Sequence, residues 1–167
     1  TEPSIARAYI PFLAEAIHSL AKAGFNVAVL IHTPEDRALV EPLQRACDLP
    51  VEVVEETCPL RLKGILGTAR GVISSRFHAL VGALSQDVPA LAVGWSHKYP
   101  QLMEEFGQPE AAIAVGDHAR LQRWLEEIGD ETTRTKLREC LAERNHQLRQ
   151  KIEAMWSQVE SILATAA

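Results

Sequence analysis

The chain has 167 residues, of which 47% are hydrophobic and 23% are charged, a composition that is typical of globular domains and excludes a disordered or collagen-like chain. Its net charge of −5 argues against a nucleic-acid partner, because a nucleic-acid-binding surface needs an excess of basic residues. No apolar run approaches the roughly 20 residues of a transmembrane helix, so no such helix is predicted.

The first half of the chain alternates helical and strand-like patterns. Residues 4–23 carry apolar side chains at helical spacing and are followed by Gly24, a typical helix stop. The apolar run at residues 26–31 predicts a strand that is buried on both faces. Thr33 and Pro34 then resemble the cap and first turn of a helix that extends to about Cys47.

The same alternation continues to the end of the chain and predicts one Rossmann-like α/β domain over residues 1–167. We expect an open parallel sheet of about five strands, with helices on both faces and a long C-terminal helix. Further strands are predicted at residues 51–54, 71–74, 89–93 and 111–115, and further helices at residues 59–69, 77–84, 99–106, 117–128 and 132–163.

The cysteines indicate the compartment. Cys47, Cys58 and Cys140 lie far apart and match neither zinc-binding nor redox spacing. We interpret them as reduced thiols of a cytoplasmic protein, which either is free in the cytosol or lies at the inner face of the membrane. The sequence contains no Walker loop, Gly-rich dinucleotide turn or metal-ligand motif, so neither a metal site nor a bound cofactor is predicted.

Candidate site residues follow the predicted strands, because ligands of open parallel sheets bind beyond the carboxyl ends of the strands. Arg76 and His78 lie where a helix begins, and its free N–H groups favour an anion there. The alternative is that these residues only cap the helix, tie down a loop or pack in the core. The candidates are His32, Thr33 and Asp36 after the first strand, Ser74, Ser75, Arg76 and His78 after the third, and Trp95, His97 and Lys98 after the fourth.

Lys98 belongs to the same candidate site if the third and fourth predicted strands are neighbours in the sheet. Lys98 and His78 would then face one crevice, in which a lysine can pair with a phosphate or carboxylate and a histidine can transfer a proton. The alternative for Lys98 is a solvated loop residue, the same interpretation is favoured for His97, and Trp95 is better explained as a packing residue. Glu55 and Glu56, after the second strand, are interpreted as solvated.

Residues 69–80, 83–84 and 88–93, followed by Lys98, resemble the carboxyl-terminal part of polysaccharide pyruvyl transferases. That family typically has a strand that ends in Ser-x-Arg-(Leu or Phe)-His, an Ala-rich helix, a Gly-Val-Pro turn and a downstream lysine. The resemblance covers roughly residues 5–110, and Asp87 stands where the family usually has Gly.

The resemblance implies a fold similar to GT-B glycosyltransferases and transfer of a pyruvyl group from phosphoenolpyruvate to a sugar of a cell-surface polysaccharide. It assigns acid/base catalysis to His78 and binding of the donor's phosphate or carboxylate to Arg76 and Lys98. Ser74, Ser75 and His32 complete the expected substrate-binding residues. The alternatives are a nucleotide-sugar glycosyltransferase domain and a non-catalytic assembly domain.

The resemblance also implies that this chain is the C-terminal part of a longer enzyme, which would need an amino-terminal domain for turnover. A strand would normally precede the helix at residues 4–23 and lie centrally in a 3-2-1-4-5-6 sheet. Without it, we expect the sheet either to close up in the order 2-1-3-4-5 or to receive another segment.

The predicted last helix has a heptad pattern that favours a homodimer. Leu141, Leu148, Met155 and Ile162 recur at every seventh position, and Asn145, Ile152 and Val159 form the interleaved row. The alternative is a single amphipathic helix that lies on its own domain.

Overall fold

A computed structural model describes residues 3–94 and 96–165, and within this part the chain forms five strands and seven α-helices. The strands are β1 (Ala28–Ile31), β2 (Glu52–Glu55), β3 (Val72–Ser74), β4 (Ala90–Val93) and β5 (Ala112–Ile113). The helices are α1 (Pro3–Lys22), α2 (Arg37–Cys47), α3 (Pro59–Thr68), α4 (Phe77–Leu84), α5 (Lys98–Glu105), α6 (His118–Gly129) and α7 (Glu131–Thr165).

The strands are parallel, as predicted, but they form two sheets instead of one. β1 pairs with β2 in the first sheet, and β3, β4 and β5 pair in that order in the second. The α/β class and the long last helix are confirmed, whereas the single continuous sheet and the closed-up order 2-1-3-4-5 are wrong. The physical reason is that β1 and β3 do not pair: a cavity of about 460 Å³ lies between them.

Helix α1 holds the two sheets together. Its Phe12 and Ala16 belong to the larger core, which surrounds β4. Ala14 and Ile17 belong to a second core, which they form with residues that include Leu43 of α2. Because both sets of side chains project from one helix, α1 spans the division between the sheets.

The larger core is built around β4, whose residues are fully buried. Its Ala-Leu-Ala-Val sequence contains no polar side chain, as expected for a strand that helices cover on both faces. Crossovers between parallel strands are right-handed. The crossover from β1 to β2 through α2 and the crossover from β3 to β4 through α4 lead away from the cavity in opposite directions. These two helices therefore lie on opposite faces. The chain therefore has the layer order of a Rossmann-like domain.

The first half of α7 packs on its own domain. Leu141 is fully buried, and the buried Asn145 donates hydrogen bonds from Nδ2 to the carbonyl oxygen of Leu84 (2.7 Å) and to Oδ1 of Asp87 (2.6 Å). Asp87 has a φ of +60°, in the left-handed region that favours glycine, which explains why Gly is usual at this turn. Asn145 thus breaks the heptad pattern because it ties α7 to the end of α4.

The second half of α7 leaves the domain and exposes an apolar stripe. Ile152, Met155, Trp156, Ile162 and Leu163 are each 48–66% exposed. The amphipathic-helix alternative therefore describes only the part of α7 that reaches about Leu148, which still packs against the core. Among the described residues, no helix combines the length and the apolar character needed to cross a membrane.

We expect Asn145→Ala to destabilise the protein by about 1–3 kcal/mol, because it leaves a buried carbonyl and a left-handed aspartate without their donor. Urea denaturation measures the free energy of unfolding. Gln150→Ala, on the exposed side of the same helix, is the control and should change that energy little. Equal stabilities of the two variants would contradict the anchoring role of Asn145.

Dimerisation through the exposed stripe of α7 stays a prediction. An apolar stripe of this kind tends to self-associate, so sedimentation should show a mass that rises with protein concentration. Met155→Lys should suppress the association, because it places a charge inside the contact, whereas Lys151→Glu, at an exposed polar position, should not. A concentration-independent monomer would exclude the homodimer.

Candidate functional site

An ion pair joins the carboxyl ends of the two sheets. Arg76, which follows β3, donates from Nε (3.1 Å) and Nη2 (2.5 Å) to Oδ1 of Asp36, which follows β1. Nη2 also donates to Oγ1 of Thr33 at 3.0 Å. The guanidinium thus bridges the mouth of the cavity between β1 and β3.

The loop after β1 positions Asp36 for this contact. Oδ2 of Asp36 accepts hydrogen bonds from the backbone N–H groups of Thr33 (2.9 Å) and His32 (3.2 Å). One carboxylate oxygen therefore orders the loop, and the other holds Arg76. Burial would raise the pKa of Asp36, but the hydrogen bonds from Arg76 and from the loop outweigh it and lower the pKa of this carboxyl below its usual value.

Two histidines lie beside the ion pair. Burial lowers the pKa of His32, and the positive charges of Arg76 and His78 lower it further, while Asp36 opposes the shift. His32 is therefore neutral at pH 7, and its buried Nδ1 has no hydrogen-bond partner among the described residues. His78, on the first turn of α4, is exposed and lies edge-on to Phe77. We call Asp36, Thr33, Arg76, His32 and His78 the Arg76 cluster.

Two tyrosines fix the turn between β3 and α4. The hydroxyl groups of Tyr9 and Ser75 share a hydrogen bond of 2.7 Å, and the hydroxyl of Tyr99 donates to the carbonyl oxygen of Ser75 at 2.6 Å. Burial raises the pKa of both tyrosines, so they stay protonated. Gly94 makes room for Tyr99, because a Cβ at position 94 would lie 2.5 Å from its ring.

The remaining predicted residues lie around this cluster with different roles. Oγ of Ser74 accepts a hydrogen bond from the backbone N–H of Arg76 at 2.9 Å, and Ser75 is engaged by both tyrosines. Lys98 begins α5 after the neighbouring strand β4, and its side chain is exposed. The interpretation of Trp95 lies outside the described residues.

Sequence reasoning missed Tyr9 and Tyr99, whereas Thr33 was among its candidates. Tyr9 lies within the helical pattern of residues 4–23, and nothing in the sequence links it to Ser75, which is 66 positions away. Glu55, interpreted as solvated, forms a surface ion pair with Arg37, whereas the Glu56 side chain is only 19% exposed and pairs with Arg61. Within residues 3–94 and 96–165, no three His, Cys, Asp or Glu side chains come together as a metal site.

We expect Asp36→Asn to lower the free energy of unfolding at pH 7 by about 1 kcal/mol, a value kept small because Arg76 is partly solvent-screened. Since the folded pKa of Asp36 is lowered, its stabilisation is present above the unfolded value of about 3.9 and is lost as the pH falls through the folded pKa. The variant should therefore lose less stability on acidification than the wild type.

Urea denaturation between pH 7 and pH 2.5 measures this difference. Glu41→Gln is the matched control, because Glu41 forms an exposed i,i+4 pair with Arg45 and should leave both stability and its pH dependence near wild type. Parallel pH profiles for the wild type and Asp36→Asn would contradict the ion pair.

The site also coincides with a segment that is similar to known proteins. The family model of polysaccharide pyruvyl transferases matches residues 4–97, which include the whole Arg76 cluster and both sheet edges beside the cavity. No solved structure matches the chain significantly. Because the matched segment covers more than half of the sequence, the chain belongs to the polysaccharide pyruvyl transferase family.

Proposed function

We propose that this chain supplies the donor site of an enzyme that transfers a pyruvyl group from phosphoenolpyruvate to a sugar of a cell-surface polysaccharide. The observation that carries the proposal is the convergence of His32, Arg76 and His78 at the carboxyl ends of β1 and β3. That convergence lies within the segment that matches the family. The donor is small and strongly anionic, which suits a guanidinium and two imidazoles.

The reaction needs one proton delivered to carbon and one group expelled. Addition of a proton to the methylene carbon of phosphoenolpyruvate makes its C2 electrophilic, and a sugar hydroxyl attacks there. A second hydroxyl of the same sugar then displaces the phosphate, so that the products are a pyruvate ketal and inorganic phosphate. One hydroxyl proton replaces the proton that was given to carbon, and the other leaves with the phosphate.

His78 is the residue we assign to this proton transfer. It is exposed on the first turn of α4, so a substrate in the crevice can reach it, and an imidazole can donate or accept a proton. His32 suits a different task, because its lowered pKa keeps it neutral. A neutral imidazole can accept a hydrogen bond from the attacking sugar hydroxyl.

Arg76 and Lys98 are assigned to the donor's charges. Asp36 and Thr33 engage Nε and Nη2 of Arg76, which leaves Nη1 for a phosphate or carboxylate oxygen. Asp36 therefore orients the guanidinium of Arg76 in addition to pairing with its charge. Lys98 stands at the amino end of α5, where its charge and the helix dipole both attract anions. We place the sugar acceptor and the rest of the enzyme on the second domain of a GT-B-like arrangement.

We expect phosphoenolpyruvate to shift the imidazole NMR signals of His32 and His78 in the 167-residue chain. Arg76→Lys should weaken this binding about tenfold, because a point charge does not replace a planar fork. His146→Ala, a change at an exposed histidine of α7, should not alter it. Signal shifts caused by UDP-glucose instead of phosphoenolpyruvate would favour the glycosyltransferase alternative.

In the complete enzyme, His78→Ala should lower kcat by about 10²–10⁴-fold while the thermal unfolding temperature stays near wild type. His146→Ala is again the control, and it should retain full activity. Near-normal turnover by His78→Ala would contradict the assignment of proton transfer to His78.

A further inference from the structure

The peptide unit that joins Ser75 to Arg76 is held by two side-chain hydroxyls. Its carbonyl oxygen accepts a hydrogen bond from the hydroxyl of Tyr99 at 2.6 Å, and its N–H donates to Oγ of Ser74 at 2.9 Å. β3 ends at Ser74 and α4 begins at Phe77, so this peptide unit belongs to neither element. Polar backbone groups in such a turn need partners from outside the regular elements, and here both partners are side chains. The orientation of the peptide plane is therefore fixed from both of its edges.

This peptide plane determines the direction in which the Arg76 side chain leaves the backbone. Arg76 precedes α4 with an extended backbone (φ −99°, ψ 115°), and its carbonyl oxygen accepts a hydrogen bond from the N–H of Leu80 at 3.1 Å, which closes the helical turn that carries His78. A rotation of the plane would change φ of Arg76 and thereby turn its side chain. Asp36 holds the far end of that side chain, whereas the peptide plane fixes its base. Both ends must be fixed if the guanidinium is to meet a ligand in one orientation.

Tyr99 is itself placed by the residues that follow β4. Ser96 accepts hydrogen bonds from the N–H of Lys98 at its Oγ (3.3 Å) and from the N–H of Tyr99 at its carbonyl oxygen (3.1 Å), which orders the start of α5. Gly94 leaves space for the aromatic ring, because a Cβ at this position would lie 2.5 Å from it. β4 is the paired neighbour of β3, so the hydroxyl reaches the turn after β3 from the adjacent strand. Tyr99 thus links the start of α5, where Lys98 lies, to the turn that carries Arg76.

We propose that Tyr99 is a positioning residue of the phosphoenolpyruvate site, which acts through Arg76 and does not itself touch the substrate. Its hydroxyl fixes the peptide between Ser75 and Arg76, and that peptide fixes the direction of the guanidinium. The inference rests on the proposed function, because it takes Arg76 as the residue that binds the phosphate or carboxylate. Burial raises the pKa of the Tyr99 phenol, so the hydroxyl keeps its proton and donates to Ser75 throughout the neutral pH range.

The first test compares the binding of phosphoenolpyruvate by the 167-residue chain and by its Tyr99→Phe variant in NMR titrations. Phenylalanine keeps the ring beside Gly94 and removes only the hydroxyl, so binding should weaken about tenfold, which corresponds to the loss of one hydrogen bond. Gly94→Ala keeps the hydroxyl but displaces the ring, and it should reproduce this loss. Asn145→Ala is the matched control, because it also removes a buried hydrogen bond but acts at the opposite end of α4, so its binding should stay near wild type.

A double variant shows whether Tyr99 acts through Arg76. The effects of two residues of which one works through the other are not additive. Tyr99→Phe combined with Arg76→Lys should therefore bind phosphoenolpyruvate about as weakly as Arg76→Lys alone. Three outcomes would overturn the proposal: a further tenfold loss, or about that, in the double variant, wild-type binding by Tyr99→Phe, and an equal loss of binding in Asn145→Ala, which would indicate a general effect of stability.

An NMR signal of Arg76 itself separates this proposal from the proposed function. The Nε–H of Arg76 donates to Asp36 at 3.1 Å, and without any ligand it should exchange with water about fivefold faster or more in Tyr99→Phe than in the wild type. If the wild-type chain does not bind phosphoenolpyruvate, the proposed function fails, and this exchange rate alone decides whether Tyr99 positions Arg76. A wild-type exchange rate in Tyr99→Phe would contradict that role. If Tyr99→Phe does not fold, the same measurements on Gly94→Ala decide.

Discussion

The ion pair between Asp36 and Arg76 is the contact on which the arrangement of the site depends. It joins the loop after β1 to the turn after β3, two segments whose strands do not pair. The aspartate lies 14% exposed and orders its own loop through two backbone N–H groups. The arginine is 44% exposed, so its remaining donor can meet a ligand. This one ion pair therefore fixes the two loops relative to each other and presents a cation at the crevice.

Helix α1 makes the contact between Asp36 and Arg76 possible. Its side chains enter both cores, so it holds β1 and β3 at the separation that the ion pair spans. Its Tyr9 also reaches Ser75, which links the packing of the helix to the turn that carries Arg76 and His78. A displacement of α1 would consequently change the structure of the crevice as well as that of the core.

Membership of the polysaccharide pyruvyl transferase family and the geometry of the crevice support each other. The proposed donor is small and trianionic and would need cations and a proton source on a rigid frame, and the carboxyl ends of parallel strands provide such a frame. The tyrosines at Ser75 and the close approach at Gly94 supply rigidity that the reacting groups themselves do not provide.

The local elements and the candidate residues could be predicted from short-range sequence patterns. The apolar runs of β1 and β4, the cap-like Thr33 and the Ser-Ser-Arg-Phe-His turn are short-range patterns, and each was found at the expected place. Even Asp87, at a position where glycine is usual, was a sequence signal, and the structure gives it a φ of +60°.

How these elements meet could not be predicted from such patterns and became known from the three-dimensional structure. Strand pairing depends on what lies beside an edge, and nothing in residues 26–31 or 71–74 states that the two edges face a cavity. Tyr9 with Ser75, Arg76 with Asp36 and Asn145 with Asp87 are contacts across 40 to 66 positions, made by residues that also suit solvent, a cap or a packed face. Residue type and spacing set local conformation through short-range sterics and hydrogen bonds, whereas the partner of a long side chain is set by the packing of the whole chain.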